Sequence, residues 1–155
     1  MSLDIHVWDT DAVIEAMKNE RARRRFTAGY VMKTIVVTGA TILELAVWAE
    51  EDPAIASFYD AMHTEGRVII PKRRDFYRAG RWIRGLRTSG TTEERRYQRM
   101  KLTIDSLTAA TAWGEGLQVV TRNRKDYDRL AAAAEGMLPG RTSPPGHLSP
   151  DDVEA

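Results

Sequence analysis

The sequence predicts a three-layer α/β/α fold with a mainly parallel central sheet. Three observations carry the prediction. Short apolar, β-branched-rich runs recur at residues 5–8, 35–38, 68–70 and 117–120; segments with apolar residues at helical spacing lie between them; and Gly39, Pro71, Gly114 and Gly116 punctuate the changes. Ile5 to Trp8 is the first strand, ending at Asp9, and Val13, Ile14 and Met17 then recur at helical spacing. Past a basic stretch through Arg21, Arg23, Arg24 and Arg25, Ile35 to Thr38 reads as a second, buried strand. A helical pattern follows with Ile42, Leu43, Leu45, Val47 and Trp48, and Pro53 suits the first turn of another helix carrying Ile55, Phe58, Tyr59 and Met62. Val68 to Ile70 is the third strand. Two helices are predicted next, separated near Thr88 to Thr92, the second running from about Glu93 into Trp113 with a break near Asp105. Leu117, Val119 and Val120 make the last strand, and Asp126 opens a short helix through Leu130 and the alanines.

From Gly136 onward Pro139, Pro144, Pro145 and Pro150 dominate with glycines and serines. The expected organisation is one domain over residues 1–135 and a loosely ordered, Pro/Gly-rich tail over 136–155. At 155 residues and 43% hydrophobic content, one domain has enough apolar material for a core. The chain has no cysteine, which excludes disulfide scaffolds, thiolate metal sites and cysteine nucleophiles. The first apolar run contains Asp4 and His6, unlike a secretory signal, and no apolar run approaches the ~20 residues that span a bilayer. The expectation is a soluble, cytoplasmic protein without a membrane partner.

Charge is segregated. Residues 72–101 hold eleven Lys or Arg against Asp75, Glu93 and Glu94, a local +8; with a formal net charge of +1 the remainder carries −7. Two electrostatically different surfaces are therefore expected.

Ligands of open α/β sheets gather at the carboxyl ends of the strands. Asp9 directly follows the first strand, Glu44 and Asp126 lie a few residues beyond strand ends, and Asp105 begins a helical turn. Singly, each has an ordinary explanation: Asp9, Asp105 and Asp126 as helix caps, Glu44 as one solvated helix position. Jointly they point to chemistry. Glu44 lies between Leu43 and Leu45, and Asp105 between Ile104 and Leu107, surroundings in which an ionised carboxylate needs a compensating partner. Converging carboxylates repel unless a cation sits between them, and a hard divalent ion meets that need. Such an ion orients water and stabilises the charge that builds on a phosphodiester.

The segment Val7-Trp8-Asp9-Thr10-Asp11-Ala12-Val13-Ile14 resembles the opening motif of PIN domains. Thr41-Ile42-Leu43-Glu44-Leu45-Ala46 is similar to their second motif and Asp105-Ser106-Leu107-Thr108-Ala109-Ala110-Thr111-Ala112 to their third. Val119-Val120-Thr121-Arg122-Asn123-Arg124-Lys125-Asp126-Tyr127 resembles the fourth, in which Thr-Arg-Asn leads to Asp-Phe. Four such motifs in this order imply a PIN-like fold and a ribonuclease using Mg2+ or Mn2+. On that resemblance Asp9, Glu44 and Asp105 are the principal catalytic and metal-binding acids, Asp126 and Asn123 complete the site directly or through water, and Thr10 and Thr121 contribute hydroxyls. Two departures stand out: Asp11 replaces the Asn the family often has, and the usual closing strand after the fourth motif is not evident.

Phe76, Tyr77, Trp82 and Tyr97 are interleaved with arginines, and Arg73, Arg74, Arg78, Arg81 and Arg84 are the candidate RNA-binding residues. The plain alternative is a solvated helix face with Trp82 and Ile83 in the core. The motif order most resembles VapC-like toxins of toxin–antitoxin pairs. That likeness implies an antitoxin partner in a groove near Trp48, Phe58 and the early helices, and a homodimer. The rival readings are a non-catalytic nucleic-acid-binding module using residues 72–101 and, third, a phosphatase of the haloacid dehalogenase type, because Asp9-Thr10-Asp11 resembles its Asp-x-Asp opening. The chain looks short for that enzyme. His6, His63 and His147 are scattered without metal-ligand spacing.

Overall fold

The computed structural model describes residues 4–65, 67–135 and 146–153. The elements in order are β1 (His6–Trp8), α1 (Thr10–Lys18), α2 (Glu20–Val31), β2 (Ile35–Thr38), α3 (Gly39–Ala49), α4 (Pro53–Glu65), β3 (Val68–Ile69), α5 (Arg73–Gly85), α6 (Thr92–Lys101), α7 (Thr103–Gly114), β4 (Gln118–Val120), α8 (Arg124–Glu135) and β5 (His147–Leu148). The strands form one parallel sheet in the order β3-β2-β1-β4-β5. The three-layer α/β/α arrangement expected from the motifs is the observed fold. None of the described helices is long and apolar enough to cross a membrane.

Alternation along each strand sends successive side chains to opposite faces, and this divides the core in two. Val7 pairs with Val119 and Trp8 with Val120 across β1 and β4. Val7 and Val119 join Trp82, Leu102, Ala109, Tyr127 and Leu130 beneath α5, α7 and α8. Trp8, Val120, Ile35 and Val37 instead join Val13, Phe26, Leu45 and Phe58 beneath α1 to α4. Phe26 anchors this second core, its ring edge-on to Trp8 at 5.2 Å and to Phe58 at 5.1 Å. Phe58 is therefore a core residue, not part of the expected groove. Trp48 does remain on the surface, with the Lys18 ammonium 6.0 Å from its ring centroid.

Three elements differ from the sequence expectation. The basic stretch after α1 is helix α2; Asn19 caps it by accepting from Arg21 N at 2.9 Å and Ala22 N at 3.2 Å. Only Ala22 and Phe26 of α2 are buried, so its apolar period is faint. The break expected near Asp105 falls at Leu102, which separates α6 from α7 and is itself buried. The missing closing strand exists: within the expected tail, His147 and Leu148 pair with Val119 and Val120 as β5. Arg25 holds the following turn, donating to Pro150 O at 2.9 Å and meeting Asp151 at 3.2 Å. Residues 136–145 of that tail lie outside the described residues.

At the end of α7, Gly116 (φ 71) lets Leu117 N reach Ala112 O at 2.9 Å and Gly116 N reach Trp113 O at 3.1 Å. This is the left-handed closure that glycine favours. Nearby, Asp75 is buried at 1% exposure, accepting from Lys72 N at 2.7 Å and pairing with Arg78 at 3.3 Å. Removing its carboxylate strands a helix-start N–H and a largely buried guanidinium. Asp75→Ala is expected to destabilise the protein by about 3 kcal/mol in urea unfolding, more than any surface ion-pair deletion.

Candidate active site

The chain leaves β1 towards β2 on one side, while β4 adds on the other, so the crevice between the ends of β1 and β4 is the sheet's switch point. Asp9 follows β1 and Thr121 follows β4 at that crevice. Asp9 is the N-cap of α1: its Oδ1 accepts from Ala12 N at 2.9 Å, and the Thr121 side chain also bonds it. Thr121 Oγ1 in turn accepts from Asn123 N at 2.9 Å. The cap role and the site role thus coincide in one carboxylate at 3% exposure.

Glu44 enters from α3 and Asp105 from the first turn of α7. A hydrogen bond between the Thr38 and Thr108 hydroxyls, 3.3 Å apart, ties the start of α3 to α7 and so fixes the two acids' helices against each other. The Thr10 hydroxyl donates to Glu44 Oε2. Asn123 Nδ2 donates to Asp105 Oδ2 at 3.3 Å and to Asp126 Oδ2 at 2.8 Å, one amide bridging two carboxylates. Asp126 also meets Arg129 at 3.5 Å. Among the described residues no Lys or Arg pairs with Asp9, Glu44 or Asp105.

Every acid predicted from the sequence is therefore at this crevice, with Thr10, Thr121 and Asn123. The neighbours that make it apolar are not all those expected: Leu43 faces solvent at 65% exposure, whereas Leu45 is in the core. Burial raises the Asp9 carboxyl to about 7, against the Thr121 and Ala12 bonds and with further repulsion from Asp11 and Glu44. Burial also raises Asp105, to about 8, reinforced by Asp9, Glu44, Asp11 and Asp126. Glu44 is raised by burial and by Asp11, and Asp11 by burial and Asp126. Asp11, noted in the sequence only as a departure, is thus a fifth charge acting on the cluster.

The sequence reading overlooked Tyr127. Its ring lies in the core under α8 while its hydroxyl is buried without a hydrogen-bond partner. Burial raises its pKa well above the usual phenol range, and Asp9, Asp105, Glu44 and Asp11 add to the shift. The visible signal was a tyrosine where the fourth motif has phenylalanine.

The donors are all carboxylate oxygens, the chemistry of a hard divalent cation, and their mutual repulsion is what such a cation relieves. Among the described residues no three of them close on one point as a ready-made ligand set. The donors fit an ion of the magnesium type, which takes one or two carboxylates and completes its shell with water and phosphate oxygens; they do not fit an all-protein cage.

The candidate RNA-binding arginines are not alike. Arg78 is taken up structurally: it pairs with Asp75, donates to Ala110 O at 3.3 Å and lies 4.2 Å over the Trp113 ring. Arg74 donates to Gly114 O at 3.3 Å and sits 3.8 Å from Glu115. Arg73 lies 5.7 Å from the Tyr77 ring, and Arg81 and Arg84 face solvent. Trp82 is in the core, as the plain alternative held.

No family model matches the sequence, and no curated protein does. Among solved structures, the chain is similar to one in the structure of FitAB bound to an IR36 DNA fragment. The TM-score is 0.57 at 13% identity, covering 97% of this chain and 99% of that one. At that identity the likeness is one of fold.

Proposed function

We propose that this chain is a PIN-like endoribonuclease dependent on Mg2+ or Mn2+, and the toxin of a type II toxin–antitoxin pair. The observation that carries the nuclease reading is the meeting of Asp9, Glu44, Asp105 and Asp126, from four separate segments, at the switch point, with two of them raised to about 7 and about 8. Burial is the main cause of both shifts and the neighbouring acids add to it; acids serving only as caps have no reason to gather where burial and repulsion both oppose their charge. When bound, the cation would supply a Lewis acid and a water of lowered pKa. Asp9 and Asp105, the two acids of the cluster whose carboxyls burial raises furthest, would hold it, with Glu44 and Asp126 acting directly or through water. Thr10 orients Glu44 and Thr121 orients Asp9, while Asn123 keeps Asp105 and Asp126 from separating.

The toxin reading, with its antitoxin partner and homodimer, is supported by the motif order and by the fold shared with a chain of the FitAB–DNA structure. Exposed Leu43, Val47 and Trp48 on α3 offer apolar surface for either contact.

A panel of single-stranded RNAs incubated with the protein tests the nuclease reading. Cleavage is expected with Mn2+ or Mg2+, none in EDTA, and recovery when the metal is restored. Cleavage that persists undiminished in EDTA, or RNA binding with no cleavage under any divalent cation, would favour the non-catalytic module instead.

A further inference from the structure

We propose that a cleft between α6 and the adjoining parts of α5 and α7 grips the phosphodiester backbone of the RNA strand being cut, an inference that rests on the nuclease reading above. The cleft has a volume of about 430 Å3; Arg95, Arg96 and Arg99 line it with the hydroxyl residues Thr92 and Thr103. Ile83 and Met100 supply its apolar wall.

Three features make it an anion site. None of the three arginines has an acidic partner among the described residues, although Glu94 lies on the same helix; Glu94 is spent on the α6 cap, accepting from Thr91 N at 2.7 Å. The Arg99 Nε is buried with no hydrogen-bond partner. Three like charges around a cleft form the mirror image of the carboxylate cluster, and an anion between them answers the repulsion.

Position favours a nucleic-acid strand over a small anion. Thr103 and Asp105 are two residues apart on α7, about 200° apart around its axis, so cleft and carboxylates flank the same helix start. A helix is ~10 Å across with its side chains, the rise of roughly three stacked nucleotides at ~3.4 Å each. One strand can therefore lie in the cleft and pass over the start of α7 to the acids. Tyr97 on α6 is 70% exposed and available for stacking on an unpaired base. This assignment moves the main backbone grip from α5, where Arg74 and Arg78 are engaged by the protein itself, to α6.

The test is the fluorescence anisotropy of a labelled single-stranded RNA, titrated in EDTA so that cleavage plays no part. The triple variant Arg95→Gln/Arg96→Gln/Arg99→Gln is expected to bind at least tenfold more weakly. Its slope of log affinity against log salt should be shallower by about 2, at roughly 0.7 for each phosphate no longer neutralised. If the triple variant has lost its fold by circular dichroism, Arg95→Gln/Arg96→Gln, at two exposed positions, takes its place with about two-thirds of the slope change. Affinity and slope equal to wild type overturn the inference. So does normal RNA binding by the variants together with loss of an inorganic-phosphate site, which would assign the cleft to a free anion. Failure of the nuclease reading looks different: no RNA is cut by wild type with any divalent cation, while the arginine-dependent binding stands.

Discussion

Asp105→Asn is expected to reduce Mn2+-dependent RNA cleavage by about a thousandfold or more, equivalent to ~4 kcal/mol of transition-state stabilisation, while making the metal-free protein more stable. The two effects have opposite signs because the same charge causes both. Asn keeps the side chain's shape and an oxygen to accept from Asn123 Nδ2, so the bridge to Asp126 can persist. What disappears is a carboxylate that burial and four neighbouring acids have pushed up to about 8. Without metal that charge is a burden, and its removal is expected to raise the unfolding free energy in EDTA by a few kcal/mol, since each pKa unit corresponds to about 1.4 kcal/mol. With metal the charge is a ligand, and its removal weakens both metal affinity and the reaction. A buried helix-start acid with no part in metal binding would show the stability gain but not the loss of Mn2+-dependent cleavage. Cleavage within tenfold of wild type at saturating Mn2+ defeats the assignment, and so does an unchanged melting temperature in EDTA.

Much of this site was legible because its residues sit at landmarks that short-range patterns mark. Asp9 ends an apolar run and caps the next helix; Asp126 opens a helix shortly after the Thr-Arg that follows β4; Asp105 stands at a helix start. Glu44 was legible from its motif, although one of the two leucines invoked for its apolar setting faces water. What escaped depends on tertiary contacts. Helix α2 has two buried residues in twelve, too few to set a period, yet Phe26 is at the centre of one core. Strand β5 is two residues long and owes its existence to the free edge of β4 and to the Arg25 contacts with the turn beyond it. From the sequence, RNA contact is assigned to Arg73, Arg74, Arg78, Arg81 and Arg84, because charge and aromatic spacing alone do not show which arginines the protein itself engages. Only the fold separates Arg78, held by Asp75 and Trp113, from Arg95, Arg96 and Arg99 around their cleft. The Tyr127 hydroxyl was invisible for a similar reason: a single oxygen added to a motif position acquires meaning only when it is found buried, unpartnered and within the field of four acids.

In EDTA and at low salt, the protein is expected to become more stable as the pH is lowered from 8 to 6, the reverse of ordinary acid destabilisation. Asp9 at about 7 and Asp105 at about 8 both start from an ordinary value of 3.8. Between about pH 4 and pH 8 the folded state therefore holds protons that the unfolded chain has released, and stability falls as pH rises through that window. A little more than one proton held across two pH units amounts to about 3 kcal/mol, which for a chain of this size is a melting-temperature gain of roughly 6–12 °C. Glu115, whose carboxyl the Lys72 ammonium lowers from 4.5, works in the opposite direction, but only as the pH falls below about 5, outside the span from pH 6 to 8. Mn2+ at pH 8 should recover most of the gain, because the cation does at high pH what the protons do at lower pH. Asp105→Asn should flatten the slope between pH 6 and 8, whereas Asp75→Ala, remote from the crevice, should lower stability at both pH values and leave the slope intact. A flat or rising melting temperature from pH 6 to 8 in EDTA would mean that burial and neighbouring acids do not penalise the ionised forms of Asp9 and Asp105, and the case for a shared cation would lose its physical ground.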